Sequence, residues 1–508
     1  MAKKHQGLLL GTILLIFSNI YIKGLGFLYR VVLVRVLGAE GIGLIEMVTP
    51  LYSFLLVLAS WGVPLAISQS IASSKNNRGE ILNIFKSGLI VLFITGVIVT
   101  LASWLLLPYM IEYFVPDERI YLSLLIMLPA VFIISIDSAF RGYFQGMGQI
   151  SSIGASQSIE QTVRVLVGIF LAFQLANLSL DKSVTSAAIG TLLGETAGFI
   201  YLLKIFNKQQ RGEGSGFFRP RMAKNLVRFG TPVTLNRLVL SSMMMLQAFL
   251  IPMALQHAGY DMRTATEMYG RFAGVAMTLL HLPGVFTSAL SVSVIPAIAE
   301  CSLMNKKLLA HRISNSLQAT IVFSLPGMLI LFLFADQFCT WIFNSPLSAH
   351  CLRILCLGGT FAYLQVTLTS ILQGLGKVKE LLINAVMTGV CLLGGILLLT
   401  AHPSLGIDGA AIAVNISCIF GFALNFLCLF RVTRIKLPLK NIFFKPIIAT
   451  FFTLIAFMGL GPLVGDLFSG QEKMALAAII FLLLIIYFVA LALMGGLSMG
   501  IWRRMIRR

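Results

Sequence analysis

Residues 8–36 read LLLGTILLIFSNIYIKGLGFLYRVVLVRV. No acid and no proline interrupts this run, and its only charges are Lys23, Arg30 and Arg35. As a helix rising 1.5 Å per residue it would be about 43 Å long, longer than the roughly 30 Å hydrocarbon layer of a membrane. The run predicts a first membrane helix. The basic start at Lys3 and Lys4 could open a leader peptide, but no small-residue cleavage site follows and the apolar stretch continues past Ile20.

The same texture extends along all 508 residues, of which 58% are hydrophobic and only 11% charged. A soluble chain carries about 25% charged residues, enough to coat its surface. Here lipid and other helices must be the solvent. Reading with a ruler of about 20 residues per crossing, helices are expected near 8–36, 41–72, 81–110, 119–145, 152–178 and 183–206. A second set falls near 224–256, 263–300, 314–342, 347–374, 380–401 and 407–431, and two more near 443–466 and 472–500. Pro50, Pro64, Pro252, Pro283 and Pro296 are candidate kinks. The reading is therefore an all-α polytopic membrane protein with about fourteen transmembrane helices.

The net charge of +19 raises the question of nucleic acid, but the bases sit in short clusters between apolar runs, as in cytoplasmic loops. Nucleic acid is not an expected partner. With the N-terminus inside, Lys75, Arg78, Lys204, Lys208, Arg211, Arg219, Arg221, Lys306, Lys307, Lys377, Lys379, Arg431, Arg434, Lys436 and the terminal Arg503, Arg504, Arg507 and Arg508 all fall on the cytoplasmic side. The opposite loops offer Arg119, Lys182, Arg263 and Lys473 and little else. This imbalance predicts a cytoplasmic-membrane protein with both termini in the cytoplasm.

Weak internal repeats run through the chain. Phe144-Gln145-Gly146-Met147-Gly148 and Leu372-Gln373-Gly374-Leu375-Gly376 carry their glutamines 228 positions apart. Pro64-Leu-Ala-Ile resembles Pro296-Ala-Ile-Ala, 232 apart, and Ala187-Ala188-Ile189 before Gly198 resembles Ala410-Ala411-Ile412 before Gly421, 223 apart. Six helices per repeat leave both halves in the same orientation. The expected organisation is two parallel six-helix lobes, 1–206 and 220–431, with two additional helices at 440–500, a transporter plan with a cavity between lobes.

Ionisable groups inside membrane helices mark cavities or partners. Lys23 and Arg30 are seven apart and share a helix face, with Gly24 and Gly26 beside them. Two readings stand: an anion site, or ion pairing with an acid on another helix such as Glu46 or Glu195. In the fifth helix Gln157, Glu160, Gln161 and Arg164 form one stripe. Glu160 and Arg164 could satisfy each other at i,i+4, or the stripe could wall a polar cavity. Glu267 and Arg271 repeat the spacing in the eighth helix, with His281 ahead of Pro283 as a packed histidine or a proton relay. Asp137, Arg141 and Arg237 have no assigned role, and Arg141 is close enough to the cytoplasmic end to be an interfacial anchor. The seven cysteines, none before Cys301 and none in a C-x-x-C pair, read as small buried hydrophobes. No zinc-protease, P-loop, nucleophile-elbow or paired-cysteine motif occurs, so neither catalytic residues, metal nor cofactor is expected.

Lys23-Gly-Leu-Gly-Phe-Leu-Tyr-Arg30 with its continuation to Leu44, Gly62-Val-Pro-Leu-Ala-Ile-Ser68, Arg141-Gly-Tyr-Phe-Gln-Gly146 and Ser156-Gln-Ser-Ile-Glu160-Gln-Thr-Val-Arg164 resemble the stage V sporulation protein B family. That family lies in the polysaccharide transporter branch of the multidrug/oligosaccharidyl-lipid/polysaccharide exporter superfamily and is related to lipid II flippases. The resemblance covers the whole chain, most densely residues 20–170. It implies a V-shaped, two-lobed flippase that moves an undecaprenyl-pyrophosphate-linked saccharide by alternating access, as a cell-wall precursor for spore cortex. Membrane lipids and cell-wall synthases would be its other partners. Lipid II flippases line their cavity with bases of the first, second and eighth helices. Lys23 matches the first such position, as Lys where the flippases carry Arg. Arg30 lies near the next, Arg271 stands about two turns before the eighth-helix position, and the second helix has no base in its core. The candidate substrate contacts are thus Lys23, Arg30, Glu46, Gln157, Glu160, Gln161, Arg164 and Arg271. Three other functions remain open: a cation-coupled multidrug exporter of the same superfamily, which needs carboxylates as the dominant cavity charge; a membrane enzyme of wall polymerisation; and a scaffold for wall synthases.

Overall fold

In the computed structural model, residues 2–74, 77–176, 178–210, 216–302, 306–435, 437–467 and 472–496 are described, with side chains for those from residue 18 onward other than 286, 292, 302 and 461–467. Lys75, Arg211, Lys436 and the terminal arginines of the sequence-based orientation lie outside them. No strand occurs among the described residues. Twelve helices there are long and apolar enough to cross a membrane.

The helices are α1 (Ala2–Ser60), α2 (Val63–Ser73), α3 (Arg78–Phe114), α4 (Tyr121–Gly146), α5 (Ile150–Leu175), α6 (Leu180–Gln209), α7 (Pro220–His257) and α8 (Met262–Tyr269). After a π-helical segment at Gly270–Ala276 come α9 (Met277–Leu280), α10 (Gly284–Ser302), α11 (Lys306–Leu333), α12 (Ala335–Phe343), α13 (Ala349–Gly374), α14 (Val378–Gly395), α15 (Ile407–Thr433), α16 (Lys445–Leu467) and α17 (Glu472–Leu493).

The difference between twelve and the expected fourteen has two physical sources. The expected first and second helices form one element, α1, divided by Gly38 at φ 71° and ψ 179°. Arg30 and Glu46, on either side of Gly38, nevertheless form an ion pair. In a straight helix sixteen residues would separate them by about 24 Å, so the chain folds back at Gly38 and α1 holds two crossings. The expected eighth helix is divided among α8, the π segment, α9 and α10, with Pro283 in the break before α10. Of the other candidate kinks, Pro64 follows a break between α1 and α2, whereas Pro50, Pro252 and Pro296 lie inside continuous helices.

The chain forms two compact units. The first comprises Met1–Val275, Ile342–Ser345 and Thr400–Ile407; the second comprises Ala276–Trp341, Pro346–Leu399 and Asp408–Arg508. In the first, α5 packs on α6, α4 on α6 and α3, and α1 on α4, α5, α7 and α8. Its core gathers Ile67, Ile71, Phe85, Phe140, Phe144 and Leu202. Trp61 and Gly62 break the second crossing with positive φ (41° and 59°). There Trp61 Nε1 donates to Thr231 Oγ1 at 3.2 Å, and a Cβ on Gly62 would stand 2.6 Å from the Gly230 carbonyl oxygen. Only glycine permits that crossing of α7. At the turn end, Arg119 pairs with Glu40 and, at 2.7 Å, with Asp117, and the Thr266 hydroxyl donates to Asp117 at 2.7 Å.

In the second unit α13 packs on α10 and α11, while α16 and α17 pair and α16 packs on α11. Ile298, Ile313, Leu317, Leu368, Ile371 and Leu372 form its core. The two Gln-Gly motifs close their helices identically. In α4 the amides of Met147, Gly148 and Gln149 donate to the carbonyls of Tyr143, Gln145 and Phe144; in α13 those of Leu375, Gly376 and Lys377 donate to Ile371, Gln373 and Leu372. Gly148 and Gly376 have φ of 71° and 72°, the left-handed closure that ends many helices. Cβ atoms on Gly146 and Gly374 would each lie 2.7 Å from a carbonyl oxygen, that of Ser68 and of Ile295 respectively. The Gln-Gly match thus marks equivalent helix ends in the two units.

The outer helix faces are apolar. Trp104, Leu105, Tyr109 and Phe114 on α3 and Phe170 and Phe173 on α5 are all more than half exposed. Apolar surface of this density suits hydrocarbon, where the backbone is already satisfied by helical hydrogen bonds.

Candidate functional site

The first unit contains a cavity of about 420 Å³ walled by α1, α4, α5 and α6. Helical spacing explains which residues reach it. Gly26, Arg30 and Leu33 come from the first crossing of α1, and Ile42, Ile45, Thr49, Tyr52 and Leu56 from the second, each set at intervals of three or four. Glu160, Gln161 and Arg164 come from α5, Thr191 and Glu195 from α6, and Ser123 and Met127 from α4.

Two ionic groups meet this space. Arg30 holds Glu46 across the turn of α1. Deeper, five charges from three helices form one network. Arg164 Nη2 lies 2.6 Å from both Glu160 and Glu195. Arg141 Nη2 lies 2.9 Å from Glu160 and 3.7 Å from Glu195, while its Nε binds Asp137. The three acids are buried, Asp137 at 1% exposure. Several buried polar atoms face no partner: the hydroxyls of Tyr29 and Tyr52, Asp137 Oδ1 and Arg164 Nε.

Of the residues singled out by sequence, the cavity gathers Arg30, Glu46, Glu160, Gln161 and Arg164. Lys23 is exposed on α1 and does not line it, and neither does Gln157. Arg271 lies in the π segment, pairs with Glu267 at 2.5 Å and is not among the lining residues. Arg141, read as an interfacial anchor, is instead drawn into the α4–α5–α6 network. Asp137 joins it too, although its i,i+4 spacing to Arg141 matches that of Glu160 and Arg164 and was the available signal. Tyr29 and Tyr52 carried no signal, since an aromatic in an apolar helix is ordinarily core. Among the charged lining residues, acids outnumber bases, with Glu46, Glu160 and Glu195 against Arg30 and Arg164. Lys23 and Arg35, the other two bases of the first crossing, are not among the lining residues. Among the described residues no group of three or more His, Cys, Asp or Glu has the arrangement of a metal site.

The chain is similar over most of its length to known membrane proteins. It is 29% identical over 451 residues to stage V sporulation protein B of Bacillus subtilis (strain 168), covering 87% of this chain and 86% of that protein. It is 24% identical over 454 residues to lipid II flippase MurJ of the same organism, covering 84% and 82%. Among solved structures, lipid II flippase MurJ in an inward closed conformation superposes with a TM-score of 0.72 at 16% identity, over 98% of this chain and 100% of that one. An inward-facing multidrug resistance MATE family transporter of the MOP superfamily gives 0.68 at 17% identity, over 81% and 94%. Those likenesses establish the fold, an all-helical polytopic membrane architecture of the MOP type. Residues 8–302, more than half of the chain and the whole of the cavity described above, match the polysaccharide biosynthesis protein family, and the chain belongs to that family.

Proposed function

We propose that this protein is a flippase of the cytoplasmic membrane that carries an undecaprenyl-pyrophosphate-linked saccharide, a lipid II-like peptidoglycan precursor, by alternating access. The observation that carries the reading is a membrane-embedded polar cavity with Arg30 and Arg164 in its wall, in a chain of this family. A volume near 420 Å³ is within the range of about 300–1,000 Å³ for small-ligand sites. It suits a pyrophosphate and the first sugar, while the polyprenyl tail stays in lipid. Arg30 is the cation assigned to the pyrophosphate, which would compete with Glu46 for the guanidinium. A fork of donors matches a phosphate bidentately. Lys23, two turns away, meets the headgroup at another depth. Spore cortex as the destination, two parallel six-helix lobes at 1–206 and 220–431 with an extra pair at 440–500, cytoplasmic termini, wall synthases as neighbours and the absence of enzymatic activity complete the proposal.

The test is the accessibility of precursor headgroups at the outer surface of cells that depend on this protein. Arg30→Ala should abolish flipping at normal membrane abundance, and Lys23→Arg should keep much of it. Normal flipping by both Arg30→Ala and Lys23→Ala would place the headgroup elsewhere. The acid surplus of the cavity supports a second reading, a cation-coupled exporter of cationic amphiphiles. Efflux of such a compound from cells, lost in Glu46→Gln while precursor flipping is unaffected by any cavity variant, would favour it.

A further inference from the structure

The five-membered network of α4, α5 and α6 does not balance its charge. Asp137, Glu160 and Glu195 supply three carboxylates, and Arg141 and Arg164 two guanidiniums. The surplus negative charge is buried inside membrane-spanning helices, where an uncompensated ion is expensive and a group neutralises instead. From α1, the element packed against both α5 and α6, Arg30 pairs with Glu46, and Tyr29 and Tyr52 line the cavity beside the network. Geometry indicates what restores neutrality. Glu160 and Glu195 share the same nitrogen of Arg164 at 2.6 Å each, so the two oxygens it binds are no more than about 5 Å apart. Two carboxyl groups so placed hold one proton between them, because both cannot ionise at that separation. An independent feature points at the same place. Tyr52 of α1, buried at 7% exposure and with a hydroxyl that has no hydrogen-bond partner, lines the same cavity as Glu160, Arg164 and Glu195. Tyr52, Glu160 and Glu195 all line the 420 Å³ cavity, which gives the site a polar path along which a proton can exchange.

We propose that the Glu160–Glu195 carboxyl pair is a proton-binding site and that a proton, taken from and returned to the aqueous phase through this cavity, is the coupling ion of the transporter. A metal cation is the poorer occupant, since the oxygens of both glutamates are engaged by guanidinium and the described residues offer no metal-type cluster. The assignment is independent of the cargo, and it is tested without one. Infrared difference spectra of the purified full chain in lipid nanodiscs, taken across pH, report a buried protonated carboxyl by its C=O band. The wild type should hold such a band at neutral pH and lose it as pH rises. Glu195→Gln, which keeps the shape and leaves two acids facing two bases, should lack it. Glu46→Gln, in the same cavity but outside the network, should retain it. Absence of a titrating carboxyl in the wild type overturns the proposal, and so does its persistence unchanged in a folded Glu195→Gln protein. Sodium binding in place of the proton would appear as the first of these. The wild-type titration needs no variant, so a misfolded mutant cannot protect the idea. A failure of headgroup flipping in cells leaves this readout unmoved.

Discussion

Replacing Arg30 with Gln leaves the Glu46 carboxylate without the guanidinium that now holds it. The pair joins the two crossings of α1 across the Gly38 turn, with side-chain exposures of 32% for Arg30 and 15% for Glu46. Breaking a fully buried ion pair from one side costs about 3–5 kcal/mol, and exposed pairs contribute about 0–1 kcal/mol. Intermediate burial places Arg30→Gln at roughly 2–3 kcal/mol of destabilisation. Adding Glu46→Gln removes the orphaned charge, so the double variant should return to within about 1 kcal/mol of the wild type. Flipping should not return with it, because a charge-assisted bond to the headgroup is worth about 1.5–3 kcal/mol, on the order of ten- to a hundredfold in rate. The assay pairs the thermal midpoint of the purified protein with headgroup accessibility in cells, for both single variants and the double. Glu46→Gln alone should flip at near the wild-type rate. If the double variant regains stability and transport together, Arg30 is a structural partner of Glu46 and the headgroup assignment falls.

Three further outcomes are expected. Reporter fusions at residues 213 and 438 should read cytoplasmic and those at 180 and 468 external; an external signal at 213 would contradict fourteen crossings. Burial raises the Asp117 carboxyl, but hydrogen bonds from Arg119 and Thr266 outweigh it and hold the group below its usual range. A lowered folded-state value stabilises above the unfolded pKa of about 3.9 and is lost as pH falls through the lower folded one; the gap in thermal midpoint between wild type and Asp117→Asn should therefore close on acidification, and a constant gap would refute the assignment. Gly148→Ala and Gly376→Ala should each destabilise by about 1–2 kcal/mol, the cost of a left-handed residue with a Cβ, since both have φ near 71° and no atom within 4 Å of the added carbon. A large difference between the two would mean the matching caps are not equivalent.

Much of this molecule is written in its sequence because the bilayer imposes one rule on every segment. A crossing must satisfy its own backbone, so apolar length alone locates helices, and the runs around α3, α5, α6 and α13 fall where the sequence puts them. The Gln145-Gly146 and Gln373-Gly374 repeats were legible for a similar reason: a left-handed helix end needs glycine whatever surrounds it. The α5 stripe of Glu160, Gln161 and Arg164 was visible because the spacing lies within one helix. What packing alone decided is which charges meet. The break expected between residues 36 and 41 is the turn at Gly38, and packing decides that Glu46, one of the two acids the sequence offers as partners, is the one that meets Arg30. Asp137, Arg141 and Glu195 join Glu160 and Arg164 only because α4, α5 and α6 pack together, and Lys23 is left outside the cavity that receives Arg30 although the two share a helix face. Periodicity fixes direction around one axis; distances between side chains of different helices depend on how those helices are rotated and inclined against each other. For this reason the charge balance of the cavity, and with it the proton site, emerged only from the tertiary structure.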